Sequence, residues 1–378
     1  MPHFRPLSQT RYTGKCTLRV LVWLLMQGLN AIDFLAHPGV MLDVRSPAEY
    51  RQGHIPGAIS FPLFTDQERA QVGTCYKHEG RDAAVELGFQ LVGPKSAQFL
   101  ATAKQLAPDR RVRVHCWRGG MRSGSVAWVL KMGGFEVATL HGGYKAFRNW
   151  ALKTFEQPKP IVILGGMTGT GKTDILLALK NQGAQVLDLE AIASHRGSSY
   201  GSLGLPPQPT NEQFENEAAV QWAKFQADSP IWIEAESKRI GTCCIPEPLF
   251  QQMDQAEVLE VVRPRSERLA LLANVYGSAD REAVVTATER IRKRLGGLRT
   301  QQAVDFIRQG QISEGVSIVL EYYDKTYTYD LQRRDVVIHP TDVAGLSAEE
   351  SAAKLLVAVQ QLQAKSEPML SAKVKANV

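Results

Sequence analysis

The chain contains no apolar run long enough to cross a membrane, no C-x-x-C pair and no internal repeat. The missing span excludes an integral helical membrane protein, and the missing repeat excludes a solenoid or array. The five cysteines, Cys16, Cys75, Cys116, Cys243 and Cys244, are odd in number and lack metal-ligand spacing. They indicate neither a disulfide framework nor a zinc site, and no metal centre is expected. Adjacent cysteines rarely meet disulfide geometry, so Cys243-Cys244 reads as a small apolar pair. A reducing, cytoplasmic setting follows. Leu18–Met26 follows Arg5, Arg11 and Lys15 in the manner of a signal peptide, but no small-residue cleavage site succeeds it. Residues 1–30 are therefore expected to be an extension, with residues 1–25 dispensable or upstream of a true start at Met26.

What is present is ordinary in bulk. The 378 residues suffice for two domains, and the net charge of +6 reads either as a solvated surface or as an anionic partner such as RNA. Short apolar runs alternate with amphipathic stretches, the pattern of a parallel α/β fold. Strands are expected at Val40–Val44, Ile59–Phe61, Val112–His115 and Val137–Leu140, with helices at Ser96–Gln105, Arg122–Lys131 and Gly143–Phe155. Gln157-Pro158-Lys159-Pro160 reads as an extended linker. Beyond it, strands are expected at Ile161–Leu164, Gln185–Leu189, Ile231–Ala235, Val258–Val262 and Val336–His339. Helices are expected at Glu212–Gln226, Ser266–Asn274, Arg281–Leu295, Gln301–Arg308 and Ser313–Tyr327. The boundaries are thus 31–156, 157–160 and 161–366, with a frayed tail at 367–378.

Two loops carry chemistry. Cys116-Trp117-Arg118-Gly119-Gly120-Met121-Arg122-Ser123 follows a strand and opens a helix. Backbone N–H groups converge at such a place and favour a thiolate, and Arg118 and Arg122 add positive charge. Cys116 so placed is a nucleophile for a chalcogen or for phosphorus. Gly166-Met167-Thr168-Gly169-Thr170-Gly171-Lys172-Thr173 satisfies G-x-x-x-x-G-K-[ST] between a strand and a helix, so it is read as a P-loop. Its backbone and Lys172 would grip a diphosphate, with Mg²⁺ on Thr173 if a nucleotide is bound. Glu234, ending Ile231–Glu234, is either an acid that orients water or Mg²⁺ or a charged strand end.

His195-Arg196-Gly197-Ser198-Ser199 is either a phosphate or ribose loop or a solvated one. Arg263, Arg265 and Arg268, with Arg290, Arg292, Lys293, Arg294 and Arg299, form an exposed face balanced by acids, an RNA footprint or a lid over the P-loop. Tyr322, Tyr323, Tyr327 and Tyr329 either stack bases or pack a helix.

Leu42-Asp43-Val44-Arg45-Ser46-Pro47-Ala48-Glu49-Tyr50 and Gly53-His54-Ile55-Pro56-Gly57-Ala58 resemble segments of the rhodanese family, over roughly residues 32–155. Five residues, Trp117 to Met121, separate Cys116 from Arg122, where common single-domain rhodaneses have four. The longer loop is shared with the phosphatase branch of that fold and leaves room for a tetrahedral anion. Together with Val72–Lys77, His141-Gly142-Gly143-Tyr144-Lys145, His195–Ser198 and Glu234-Ala235-Glu236-Ser237, these strings resemble the bacterial tRNA 2-selenouridine synthases from about Met26 to Gln363.

That resemblance implies a rhodanese-like α/β domain followed by a P-loop NTPase-like α/β domain with added helices. It also implies conversion of wobble 2-thiouridine to 2-selenouridine in Lys, Glu and Gln tRNAs through an S-geranyl intermediate. Geranyl diphosphate and selenophosphate would be donors, with no tightly bound cofactor. The partners would be the tRNA anticodon arm and a selenophosphate supplier, and the enzyme would be a monomer. Cys116 would take selenium as a perselenide, with Arg118 and Arg122 holding phosphate. Gly166, Gly169, Gly171, Lys172, Thr173 and Glu234 would serve the diphosphate, and Arg263, Arg265, Arg268, Arg292, Lys293 and Arg294 the RNA. The competing readings are a sulfurtransferase fused to a P-loop small-molecule kinase, a Cys-dependent phosphatase, for which no general acid is evident, and an RNA-binding adaptor.

Overall fold

A computed structural model describes residues 28–332 and 335–376; Leu18–Met26 lies outside them. The chain divides into two compact units between Trp150 and Ala151. In the first, the order is α1 (Ala31–Ala36), β1 (Val40–Asp43), α2 (Pro47–Gln52), β2 (Ile59–Ser60), α3 (Asp66–His78), α4 (Arg81–Val92), α5 (Ser96–Leu106), β3 (Arg111–His115), α6 (Met121–Met132) and β4 (Glu136–Thr139). Helix α7 (Gly143–Thr154) follows and spans the boundary.

The four strands form one parallel sheet ordered β2-β1-β3-β4. Leu42 lies opposite Val114 and Asp43 opposite His115. Leu42, Val44, Val112, Val114, Val126 and Leu130 share one core, which also takes in Cys116. The strands and helices expected here are present. Helices α1 to α4 fall where no helix is expected; α3 (DQERAQVGTCYKH) buries only Cys75 and shows no apolar stripe. Its start is set instead by a Thr65–Glu68 capping box, and Lys95 Nζ lies 2.6 Å from a Glu68 oxygen.

The second unit runs β5 (Ile161–Gly166), α8 (Lys172–Asn181), β6 (Gln185–Val186), α9 (Leu189–Ala193), α10 (Asn211–Lys224), β7 (Ile231–Glu234), β8 (Arg239–Ile240), β9 (Cys243–Cys244), α11 (Glu247–Asp254), β10 (Val258–Val262), α12 (Arg265–Gly277), α13 (Arg281–Arg290), α14 (Arg292–Leu295), α15 (Gly297–Arg308), α16 (Ile312–Gln332), β11 (Ile338–Asp342) and α17 (Ala348–Ala376). Its parallel sheet is ordered β11-β10-β5-β7-β6, and β8-β9 is a separate hairpin. The order reverses at β5, which puts the loop after β5 at the switch point where open α/β sheets bind ligands.

Four expectations shift. The strand from Gln185 stops at Val186, because Asp188 Oδ1 accepts the Ala191 N–H at 2.9 Å and starts α9. The helix expected over Arg281–Leu295 breaks at the buried Ile291, which leaves helical geometry (φ −92°, ψ 6°). The last strand begins at Ile338 and is an edge strand, where Pro340 costs no ladder bond to a second neighbour. Helix α17 runs to Ala376 and takes in most of the segment expected to fray. Helices α12, α13, α15 and α16 build a second apolar core around Val284, Val304, Ile307 and Leu320.

Candidate active site

The nucleophile comes first in the chain. Strand β3 delivers Cys116 to the sheet's C-terminal edge, where it is 3% exposed. Its Sγ lies 3.2 Å from Ser123 Oγ, and that hydroxyl lies 3.1 Å from the Gly120 carbonyl. One O–H donates to one of these at a time. Among the described residues, the amides of Trp117–Gly120 donate to no protein acceptor, and they precede the N-terminus of α6. Such amides are free to meet an anion.

The turn His141–Lys145 braces this loop from behind. Tyr144 donates its N–H to the Cys116 carbonyl at 2.8 Å, and Lys145 to that of Trp117 at 3.0 Å. Gly143 (φ +61°) is required: a Cβ there would lie 2.3 Å from the Cys116 carbonyl oxygen and from the Gly119 nitrogen. The two glycine-containing strings are therefore two sides of one contact.

The arginines differ. Arg118 is exposed. Arg122 donates through Nη1 to Glu49 at 2.6 Å and through Nη2 at 3.3 Å. Burial pushes the Glu49 carboxyl up, but the Arg122 bond more than offsets it, and the group stays ionised. Glu49 stood in the sequence motif without a role; the structure makes it the anchor of Arg122. Behind the loop, Arg45 and Asp43 form a buried pair at 2.6 Å, with the guanidinium 3.7 Å from the Tyr144 ring centre. His115 beside them is fully buried, and among the described residues neither ring nitrogen has a hydrogen-bond partner. Burial pulls its pKa down to about 4 despite Asp43 at 3.8 Å, whose carboxylate Arg45 already occupies. On the α3–α4 side, an apolar cavity of about 320 Å³ is walled by Phe64, Val72, Tyr76 and Phe89 and reaches Met121 and Arg122 at the start of α6.

The second unit holds the P-loop. Gly166, Gly169 and Gly171 all have positive φ, and a Cβ on Gly169 would lie 2.8 Å from the Arg268 carbonyl oxygen. Lys172 Nζ donates to the Gly166 carbonyl at 2.7 Å and lies 3.4 Å from Glu234. Glu190, Glu234 and Glu236 place carboxylate oxygens within 4.8 Å of one another. Thr173 Oγ1 lies 3.4 Å from Glu190. Burial and the neighbouring Glu234 and Glu236 charges push the Glu190 carboxyl up, and burial does the same for Glu234 and Glu236. Glu234 Oε2 is buried and has no hydrogen-bond partner among the described residues. Three crowded carboxylates, one orphaned oxygen and a threonine hydroxyl suit a hard divalent cation such as Mg²⁺.

Gly197 of the His195–Ser198 loop touches this cluster, since a Cβ there would lie 2.6 Å from Glu236 and 2.9 Å from Glu190. The cavity, about 510 Å³, is lined from the P-loop, the carboxylates, Ser198 and Tyr323. Glu190 gave no sequence signal beyond following β6 at the sheet's C-terminal edge. Glu236 was visible only as the second acid of Glu234-Ala235-Glu236.

The basic residues fall into two groups. Arg268 is 4% exposed and bridges Asp324 (2.7 Å) and the Thr168 carbonyl (3.1 Å), an internal strut behind the P-loop. Arg263 is held by Glu267 and the Leu346 carbonyl. Arg265 is exposed and reaches Ser317, while Arg292, Lys293 and Arg294 are exposed together on α14. Tyr323 accepts the Ser199 N–H and packs against Tyr200 and Tyr322, so it belongs to helix packing.

A family profile described as the tRNA 2-selenouridine synthase AAA domain matches residues 159–344, and a rhodanese-like domain profile matches residues 27–149. A tRNA 2-selenouridine synthase of Marinobacter nauticus is 36% identical over 330 residues, covering 78% of this chain and 89% of its own. The chain belongs to the tRNA 2-selenouridine synthase family. A relative so named from Pseudomonas fluorescens is 35% identical, covering 80% of this chain and 91% of its own, and one from Bordetella petrii is 37% identical over 78% and 87%. Family membership places both loops, the thiolate loop in the rhodanese-like domain and the P-loop in the AAA domain. Among the described residues, no helix is long and apolar enough to cross a membrane.

Proposed function

We propose that this chain is a selenotransferase that converts wobble 2-thiouridine in tRNA to 2-selenouridine through an S-geranyl intermediate, with geranyl diphosphate and selenophosphate as donors. The observation that carries the reading is one chain holding both a buried thiol at the start of a glycine-containing loop before a helix and a complete P-loop, in a family named for this product. The chemistry needs both. A thiocarbonyl sulfur is a poor leaving group, whereas a thioether on C2 is a better one. In the first step the base sulfur attacks the geranyl C1, the C–O bond breaks, the base proton is lost and diphosphate leaves. In the second, selenium attacks C2 and geranylthiolate leaves.

Lys172 and the amides around Gly166, Gly169 and Gly171 hold the diphosphate and draw off its developing charge. Thr173, Glu190 and Glu234 would hold Mg²⁺, which would supply further charge neutralisation there. The crowded carboxylates tolerate one another only when a cation or proton stands between them. Arg118 and Arg122 hold the selenophosphate phosphate over Cys116. The apolar cavity beside α6 suits the geranyl group already on the base in the second step. The anticodon arm of Lys, Glu and Gln tRNAs lies on the exposed cations Arg265, Arg292, Lys293 and Arg294, and the enzyme acts in the cytoplasm as a monomer fed by a selenophosphate supplier.

The test is nucleoside mass spectrometry after incubation with 2-thiouridine tRNA and both donors. Wild type should yield 2-selenouridine, Cys116→Ser should stop at the geranylated form, and Lys172→Ala should leave 2-thiouridine. An unchanged nucleoside from folded wild type with both donors present sinks the proposal.

A further inference from the structure

We infer that Cys116 attacks the phosphorus of selenophosphate and releases its selenium as selenide, and that Ser123 positions the sulfur for this exchange. The inference rests on selenophosphate being the donor. It replaces the perselenide expected from the rhodanese resemblance, and electron balance is the first reason. Selenium in selenophosphate is already at the oxidation level of selenide. Joining it to a cysteine sulfur requires a two-electron oxidant, which neither donor supplies. Attack on phosphorus requires none: the S–P bond forms as the Cys116 thiol gives its proton to selenium, the P–Se bond breaks, and the electron pair leaves with selenium as HSe⁻. Water then adds to phosphorus, the S–P bond breaks, inorganic phosphate departs with the water oxygen, and the Cys116 thiolate returns. The selenide attacks C2 of the S-geranyl base and expels geranylthiolate.

Geometry is the second reason. Five residues separate Cys116 from Arg122, the loop length that the resemblance associates with a tetrahedral anion. Among the described residues, the loop amides of Trp117–Gly120 donate to no protein acceptor, and they precede a helix N-terminus. Arg122 is held at the loop's rim by Glu49 at 2.6 Å. Ser123, 2% exposed, has its hydroxyl 3.2 Å from Sγ. In that position it stabilises sulfur as a nucleophile, and again as the leaving group when the S–P bond breaks. A phosphatase acting on an oxygen ester needs a general acid for the departing alkoxide. Selenium that carries the thiol's proton leaves as HSe⁻, a far weaker base than an alkoxide, so the lack of an evident acid near this loop is no obstacle.

The experiment uses the full chain, geranylated tRNA, and selenophosphate labelled in parallel with ³²P and with ⁷⁵Se. The reactions are acid-quenched within the first turnover, and protein-bound label and nucleoside product are both counted. The expected result is ³²P on the protein and ⁷⁵Se in solution, trapped as alkylated selenide. Cys116→Ser should hold neither label. Ser123→Ala, which deletes only a hydroxyl, should retain several-fold more ³²P than wild type, because hydrolysis of the S–P bond slows. Bound ⁷⁵Se without ³²P overturns the inference. So does selenouridine formation with neither label bound in wild type and Ser123→Ala. If wild type forms no selenouridine and consumes no selenophosphate, the proposed donor itself is wrong.

Discussion

At the scale of single residues, the two units manage buried charge in opposite ways. Glu190, Glu234 and Glu236 are raised chiefly by burial, to which neighbouring carboxylates add. His115 is lowered to about 4 because full burial strips its charged form of water, which outweighs the nearby Asp43 carboxylate. The unfolded histidine takes up a proton below pH about 6.5, and the folded one resists until about pH 4. Its neutral burial therefore adds stability above the unfolded value that is lost as the pH falls through this window. Between pH 6.5 and 5 the loss is about 2 kcal/mol. His115→Phe should flatten that part of the profile, seen as a smaller drop in urea midpoint from pH 7 to pH 5 than in wild type. The carboxyls act with the opposite sign, losing stability as pH rises, but equally in both proteins, so the difference isolates His115. Parallel profiles would show that the histidine is not buried neutral.

Among elements, the decisive contact in the first unit joins the Cys116 loop to the turn before α7. Its tolerance is small: at Gly143 both the +61° φ and the 2.3 Å approaches exclude a side chain. Gly143→Ala should therefore cut selenation of pre-geranylated tRNA at least tenfold and lower the melting temperature, while leaving geranylation of 2-thiouridine tRNA near wild type. Gly124→Ala, on α6 where a Cβ meets nothing within 4 Å, is the control. Selenation unaffected in a folded Gly143→Ala protein would mean that the turn does not shape the loop. In the second unit the corresponding brace is Arg268, which ties the P-loop at Thr168 to Asp324 on α16. The added helices thus support the phosphate site.

For the whole molecule, the net charge of +6 says little until burial sorts it. Arg268 and Arg263 spend their charge on internal partners, whereas Arg292, Lys293 and Arg294 face solvent in a row. Binding to an RNA backbone through that row releases counterions, and affinity then falls steeply with salt. Replacing all three by alanine should weaken tRNA binding and reduce the slope of log affinity against log salt by about 2, measured by filter binding across a salt series. An unchanged slope would place the tRNA elsewhere.

How much of this could be read in advance follows from the range of the interactions. The two phosphate-type loops, their strands and their helices were legible, because each is a contiguous string whose glycines, cysteine or lysine impose local backbone geometry. The fold class followed from short-range periodicity, and α3 escaped because its helix is held by a cap and an ion pair and lacks an apolar stripe. What could not be read were pairings across the chain. Glu49 anchors Arg122 from 73 residues away, and Arg268 meets Asp324 from 56 away. Glu190 joins Glu234 and Glu236 because parallel strands bring their C-terminal ends to one edge. A motif settles what a residue is able to do where it stands. Whether an arginine meets solvent, a phosphate or a buried carboxylate depends on which distant strand and helix the sheet order sets beside it.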